Sequence, residues 1–174
     1  MMAVVDKLRN IGVDVDATND GCIVSGTKPL KPSDIITQPY PGFPTDLQAQ
    51  FMALLALAEG NSIIIEKVFP DRFMHVAELN RMAANLRKEG STILICGTDK
   101  LMGAPVMASD LRASAALVVA ALAAQGTTII NRVYHIDRGY EKIEQKLNQV
   151  GAKIYRESDS DASKSLLPAL AIND

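Results

Sequence analysis

Val4, Val5, Leu8 and Ile11 recur at intervals of three and four, which predicts a helix stopped by Gly12. Alternation then replaces that period. VDVD (13–16) and CIVS (22–25) read as two short strands around Asn19-Asp20-Gly21, a hairpin turn. Two prolines in KPLKP (28–32) impose an extended connector. Ile35 to Thr37 predict a strand, and PYPGFP (39–44) an irregular stretch.

A well-marked helix follows. Thr45 with Gln48 three residues on has the form of a capping box, the apolar stripe is Leu47, Phe51, Leu54, Leu55 and Ala58, and Gly60 ends it. SIIIEKV (62–68) predicts a strand. His75 to Lys88 predict a second helix with Val76, Leu79, Met82, Ala83 and Leu86 on one face and Gly90 at its end. Thr92 to Cys96 are a further strand. The order then recurs: strand Pro105 to Ala108, a helix capped by Ser109 and running from Asp110 to Ala124, and strand Thr127 to Val133 after Gly126. A helix follows through Tyr140, Ile143, Leu147 and Val150, then Gly151 and strand Lys153 to Arg156.

The recurrence has a period. Gly60 and Gly126, Asp71 and Asp137, and Arg72 and Arg138 are each 66 residues apart. Leu8-xxx-Gly12, Leu86-xxx-Gly90 and Leu147-xxx-Gly151 form a further echo. This predicts an α/β chain of two full repeat units, 34–103 and 104–157, and the end of a third, 1–33, followed by a loose tail over 158–174. A third unit lacking its opening elements leaves sheet edge and apolar surface uncovered, so the chain is expected to be truncated on its N-terminal side.

Composition narrows the chemistry. Apolar residues make up 48% of 174, enough for a core in one domain. A net charge of −2 and a pI near 5.7 argue against general affinity for nucleic acid. Cys22 and Cys96 lie in apolar strand-like runs and are expected to be buried thiols. His75 and His135 stand alone, and no Cys/His cluster suggests a metal. The longest apolar run, 113–124, has 12 residues, short of a membrane span. No basic-then-apolar leader is present, so the cytoplasm is the expected location.

Charged residues recur where elements join. Asp46 and Asp110 open the first helix of each full unit, Arg72 and Arg138 open the second, and Arg112 follows Asp110. Aspartate at such a position is a favourable cap, whereas arginine opposes the helix dipole. Three arginines so placed point to an anion site, since the guanidinium fork matches carboxylate and phosphate. Scattered surface salt bridges are the other reading.

FPTDLQAQF (43–51), DRFMHVAEL (71–79), SDLRASAALV (109–118) and YHIDRGYEKIEQKL (134–147) together resemble the UDP-N-acetylglucosamine enolpyruvyl transferase family, the 1-carboxyvinyltransferases, from about Leu8 to Arg156. The resemblance implies a two-domain inside-out α/β barrel of βαβαββ units, with residues 1–157 as about two and a half units of the second domain. It implies transfer of the enolpyruvyl group of phosphoenolpyruvate to the 3-hydroxyl of UDP-N-acetylglucosamine, without metal or cofactor. That step opens peptidoglycan synthesis, and with it cell-wall biogenesis, cell shape and division. By position, Asp46 matches the aspartate beside the sugar hydroxyl, and Val68 a backbone contact to the sugar nucleotide. Arg72, Arg112 and Arg138 match arginines around phosphoenolpyruvate, and Asp110 an aspartate of the same cleft. The family's cysteine loop, its lysine-asparagine pair and its loop arginine have no counterpart here. The expected partner is therefore the missing N-terminal domain, and the isolated chain is expected to be inactive. A non-catalytic anion-binding module and a truncated product without function are the alternatives.

Overall fold

Helix α1 (Met2–Asn10) buries Val4 and hands the chain to a hairpin of β1 (Val13–Ala17) and β2 (Cys22–Gly26), paired from Val13↔Gly26 to Ala17↔Cys22. Thr18 N–H closes the turn on Gly21 O at 2.9 Å, as expected from Asn-Asp-Gly. The computed structural model describes residues 2–26 and 29–157. The tail expected over 158–174 lies outside the described residues. The chain divides into two units, Met1–Gly139 and Tyr140–Asp174.

The centre of the first unit is a four-stranded sheet. β3 (Ile35–Ile36) runs parallel to β4 (Asn61–Ile65), β4 is antiparallel to β6 (Thr92–Cys96), and β6 is antiparallel to β5 (Asn85–Glu89), giving the order β3-β4-β6-β5. A 3-10 turn (Thr45–Leu47) and α2 (Gln48–Leu55) connect β3 to β4, and α3 (Met74–Arg81) precedes β5. The elements from β3 to β6 thus run β-α-β-α-β-β. After them come β7 (Pro105–Met107), α4 (Leu111–Ala123) and β8 (Ile129–Asn131), with β7 and β8 parallel. Ile35, Met52, Leu55, Ile64, Leu79, Met82, Ile93, Ile95, Leu101 and Leu117 are fully buried where helices and sheet meet.

The helix expected over 75–88 stops at Arg81. Residues 85–89 form β5, and Gly90, at φ +61°, belongs to the β5–β6 turn and is not a helix stop. Leu86 fits both periods; a side chain decides between them. Asn80 donates Nδ2–H to Leu86 O and accepts Leu86 N–H on Oδ1, both at 2.9 Å, which ends the helix and launches the strand. Asn148 does the same to Ile154 after α6 (Ile143–Gln149), accepting its N–H at 2.9 Å. Arg9 donates Nε–H to Val15 O at 3.2 Å after α1. In each case the partner lies six residues on. The left-handed residue that turns the chain is Gly12 (φ +92°), Ala83 (+65°) and Gly151 (+100°). The middle member of the echo is therefore Leu79-xxx-Ala83, in place of Leu86-xxx-Gly90.

Three smaller expectations also give way. Asp110, not Ser109, caps α4, its carboxylate accepting Arg112 N–H (2.8 Å) and Ala113 N–H (2.9 Å). The strand expected at Lys153 to Arg156 is not formed: residues 152–157 carry no regular element. Both cysteines are exposed. Ile93 and Ile95 take the inner face of β6, so Cys96 points outward, while β2 pairs with β1 alone among the described residues and all five of its residues are exposed.

Candidate anion and sugar-nucleotide site

The site grows from one buried carboxylate. Glu66 follows β4 and is fully buried. Its Oε1 accepts Thr37 Oγ1–H at 2.6 Å, Val68 N–H at 2.8 Å and Phe69 N–H at 2.9 Å, and its Oε2 accepts Thr45 Oγ1–H at 2.9 Å. Burial by itself pushes this carboxyl up. The bonds from Thr37, Phe69, Val68 and Thr45 outweigh it and hold the group below the usual carboxylate range. The capping box expected at Thr45 and Gln48 is absent for this reason. The Thr45 hydroxyl is committed to Glu66, no side chain caps the 3-10 turn, and Gln48 is buried with neither amide atom partnered among the described residues.

Thr45 passes the arrangement outward. Arg72 Nη1 donates to Thr45 Oγ1 at 3.1 Å and lies 3.4 Å from Asp46 Oδ1. Its guanidinium stacks over the Phe69 ring, 4.2 Å from the centroid. Arg112, in the first turn of α4, donates Nε–H to the same Asp46 oxygen. Asp46 is 58% exposed, so the paired carboxylate faces solvent. The chain therefore brings Asp46, Arg72 and Arg112 together.

Asp110 serves α4 as its cap and, with Phe69, Pro70, Asp71, Arg72 and Met74, lines a hollow of about 340 Å³. Val68 commits its N–H to Glu66, and its carbonyl accepts no hydrogen bond among the described residues. Arg138 is exposed, follows α5 (Tyr134–Asp137) as its C-cap, and makes no ion pair among the described residues. It does not open a helix as expected, and a cation at a C-terminus is favoured by the dipole. Of the three arginines only Arg112 lies inside a helix's first turn. Gly139 brings the chain after Arg138 against the start of α4: a Cβ there would meet Leu111 Cδ2 at 2.8 Å, so the Leu111 side chain would have to shift to admit one.

His75, on α3, is buried with both ring nitrogens unpartnered among the described residues. Burial pushes its pKa down to about 4, against the opposing charge of Asp110. Among the described residues no group of three or more His, Cys, Asp or Glu is arranged to hold a metal ion, and no helix is long and apolar enough to cross a membrane.

Glu66, Thr37 and Thr45 were not singled out from sequence as site residues. The available signal was a glutamate directly after three isoleucines, where a strand that is buried on one face carries a charge needing partners.

Comparison with known proteins gives the family. The UDP-N-acetylglucosamine 1-carboxyvinyltransferase of Desulfovibrio desulfuricans is 56% identical over 156 residues, 89% of this chain and 37% of its own length. The enzyme of that name from Anaeromyxobacter sp. is 58% identical over 155 residues, again 89% and 37%. The chain thus spans little more than a third of these curated relatives. Among solved structures, the enolpyruvyl transferase NikO from Streptomyces tendae superposes with a TM-score of 0.80 at 31% identity, covering 88% of this chain and 36% of that one. EPSP synthase from Acinetobacter baumannii shares the fold, with a TM-score of 0.65 at 17% identity over 90% of this chain. Residues 1–147 match the family model of EPSP synthase (3-phosphoshikimate 1-carboxyvinyltransferase), and the chain accordingly belongs to the EPSP synthase family.

Proposed function

We propose that the chain is part of a cytoplasmic UDP-N-acetylglucosamine 1-carboxyvinyltransferase, with residues 1–157 belonging to the second of its two domains. The observation that carries this reading is the exposed Asp46 carboxylate held between Arg72 and Arg112. Asp46 takes the proton of the sugar 3-hydroxyl as that oxygen adds to C2 of phosphoenolpyruvate, whose C3 is protonated. Loss of a C3 proton with departure of phosphate then restores the double bond on the new ether. Arg72, Arg112 and Arg138 hold the carboxylate and phosphate of this trianion, where preorganised donors count most as charge develops. Asp110 borders the same cleft and the Val68 carbonyl contacts the sugar nucleotide. The rest of the site belongs to the other domain, so this chain alone does not turn over. The reaction places the enzyme at the entry to peptidoglycan synthesis.

The test is phosphate release from phosphoenolpyruvate and UDP-N-acetylglucosamine. The chain alone is expected to be silent, and a chimera in which it replaces the matching segment of the Anaeromyxobacter enzyme is expected to be active. Arg138→Ala in that chimera should keep the fold and lower kcat/KM for phosphoenolpyruvate about 30- to 1,000-fold, with Arg138→Lys restoring part. Turnover by the chain alone, or a folded but inactive chimera, refutes the proposal.

A further inference from the structure

Arg72 can only donate hydrogen bonds, and the Thr45 hydroxyl has a single proton. If that proton went elsewhere, the oxygen facing Arg72 would be free to turn. It does not, because the buried Glu66 carboxylate accepts it at 2.9 Å and can offer nothing in return. Glu66 is itself fixed by three further donors, the Thr37 hydroxyl and the Val68 and Phe69 amides. The Phe69 amide matters twice, since the same residue presents the ring on which Arg72 stacks. Two contacts on Arg72, the Thr45 oxygen beneath and the Phe69 ring beside, are therefore both set by one carboxylate that touches no solvent.

We propose that Glu66 is a positioning residue of this site: through Thr45 and the 68–69 turn it holds the Arg72 guanidinium beside Asp46 before any anion arrives. An unheld arginine loses side-chain entropy on binding, and a pre-set one has already lost it. Where the ligand is phosphoenolpyruvate, this inference rests on the transferase reading above. Glu66 touches no ligand and acts only through Thr45, Val68 and Phe69.

Arginine side-chain NMR on the full 174-residue chain tests it. In the wild type, rotation of the Arg72 Nη groups should be slow. Thr45→Val and Glu66→Gln should speed it about tenfold or more, as loss of one charge-assisted bond implies. The Arg112 Nε–H signal should be retained in both. Thr45→Ser should behave as wild type. Valine matches threonine in shape and serine does not, so a purely packing role predicts the reverse order, and that order overturns the proposal. So does unchanged Arg72 rotation in Glu66→Gln. If Glu66→Gln does not fold, Thr45→Val decides, since it leaves the Thr37, Val68 and Phe69 bonds in place, and unchanged Arg72 rotation there is equally fatal. A phosphoenolpyruvate titration of the chimera, with UDP-N-acetylglucosamine present and with the same variants introduced, separates the two readings. No shift at Arg72 and Arg112 in the otherwise unchanged chimera counts against the transferase assignment, and the rotation rates in the chain still settle positioning. Binding in that chimera that is unaltered by Thr45→Val refutes the link to ligand.

Discussion

Arg72 and Arg112 donate to the same atom, Oδ1 of Asp46, the first from the approach to α3 and the second from the first turn of α4. One carboxylate oxygen thus ties the approach to α3 to the start of α4. The pairing is exposed, so it contributes orientation more than stability.

Asp46→Asn separates those two roles. It keeps the shape and removes the charge that both arginines face. Because Asp46 is 58% exposed, the change in unfolding free energy should stay within about 1 kcal/mol. Phosphate release by the chimera should fall at least about 100-fold if Asp46 is the proton acceptor. Denaturant unfolding beside steady-state kinetics checks both, and a large stability loss with little change in rate would make Asp46 a structural anchor.

His75 gives a pH signature. It is neutral when folded, with a pKa of about 4, against an ordinary value of 6.5 for the unfolded chain. Between these values the unfolded chain binds the additional proton, so stability falls as pH drops through that window and the loss is complete below it. The shift corresponds to about 3 kcal/mol. His75→Phe should remove this part of the pH dependence and be more stable than wild type near pH 5, since it also deletes two buried nitrogens that have no partner among the described residues. Urea unfolding of both proteins across the window is the measurement, and parallel curves would contradict it.

Ala83→Gly tests the repeated helix end. Ala83 is exposed and sits at φ +65°, where Gly12 and Gly151 occupy the corresponding positions. Relief of the left-handed strain should stabilise the chain by up to about 1 kcal/mol, read as a raised Tm. A lower Tm would show that the alanine methyl contributes packing.

These residues also show what could be read before folding. Asn19-Asp20-Gly21 dictates its hairpin through local turn chemistry, so both strands were legible. Residues 85–89 were not, because Leu86 fits a helical stripe as well as a strand face and the bonds to Asn80 that choose between them leave no periodic mark. The exposed Cys22 and Cys96 misled for a related reason: an apolar run indicates a strand and leaves open which residues turn inward. Asp46, Arg72 and Arg112 stood out by their recurrence at junctions. Glu66 did not, since its partners Thr37 and Thr45 lie 29 and 21 residues away.

The side chains of Arg9, Asn80 and Asn148 each close a loop on the backbone six residues ahead, with different chemistry in the first case and the same chemistry in the other two. They act as survey marks along the chain. Measured from mark to mark, the first interval is 71 residues and the second 68, so the repeats are not of equal length. Length can vary only between marks, since a residue gained or lost within one would leave its side chain facing the wrong backbone group. A protein engineer seeking to lengthen a connection or splice in a loop should therefore cut between these helix ends and leave the six residues after each mark intact.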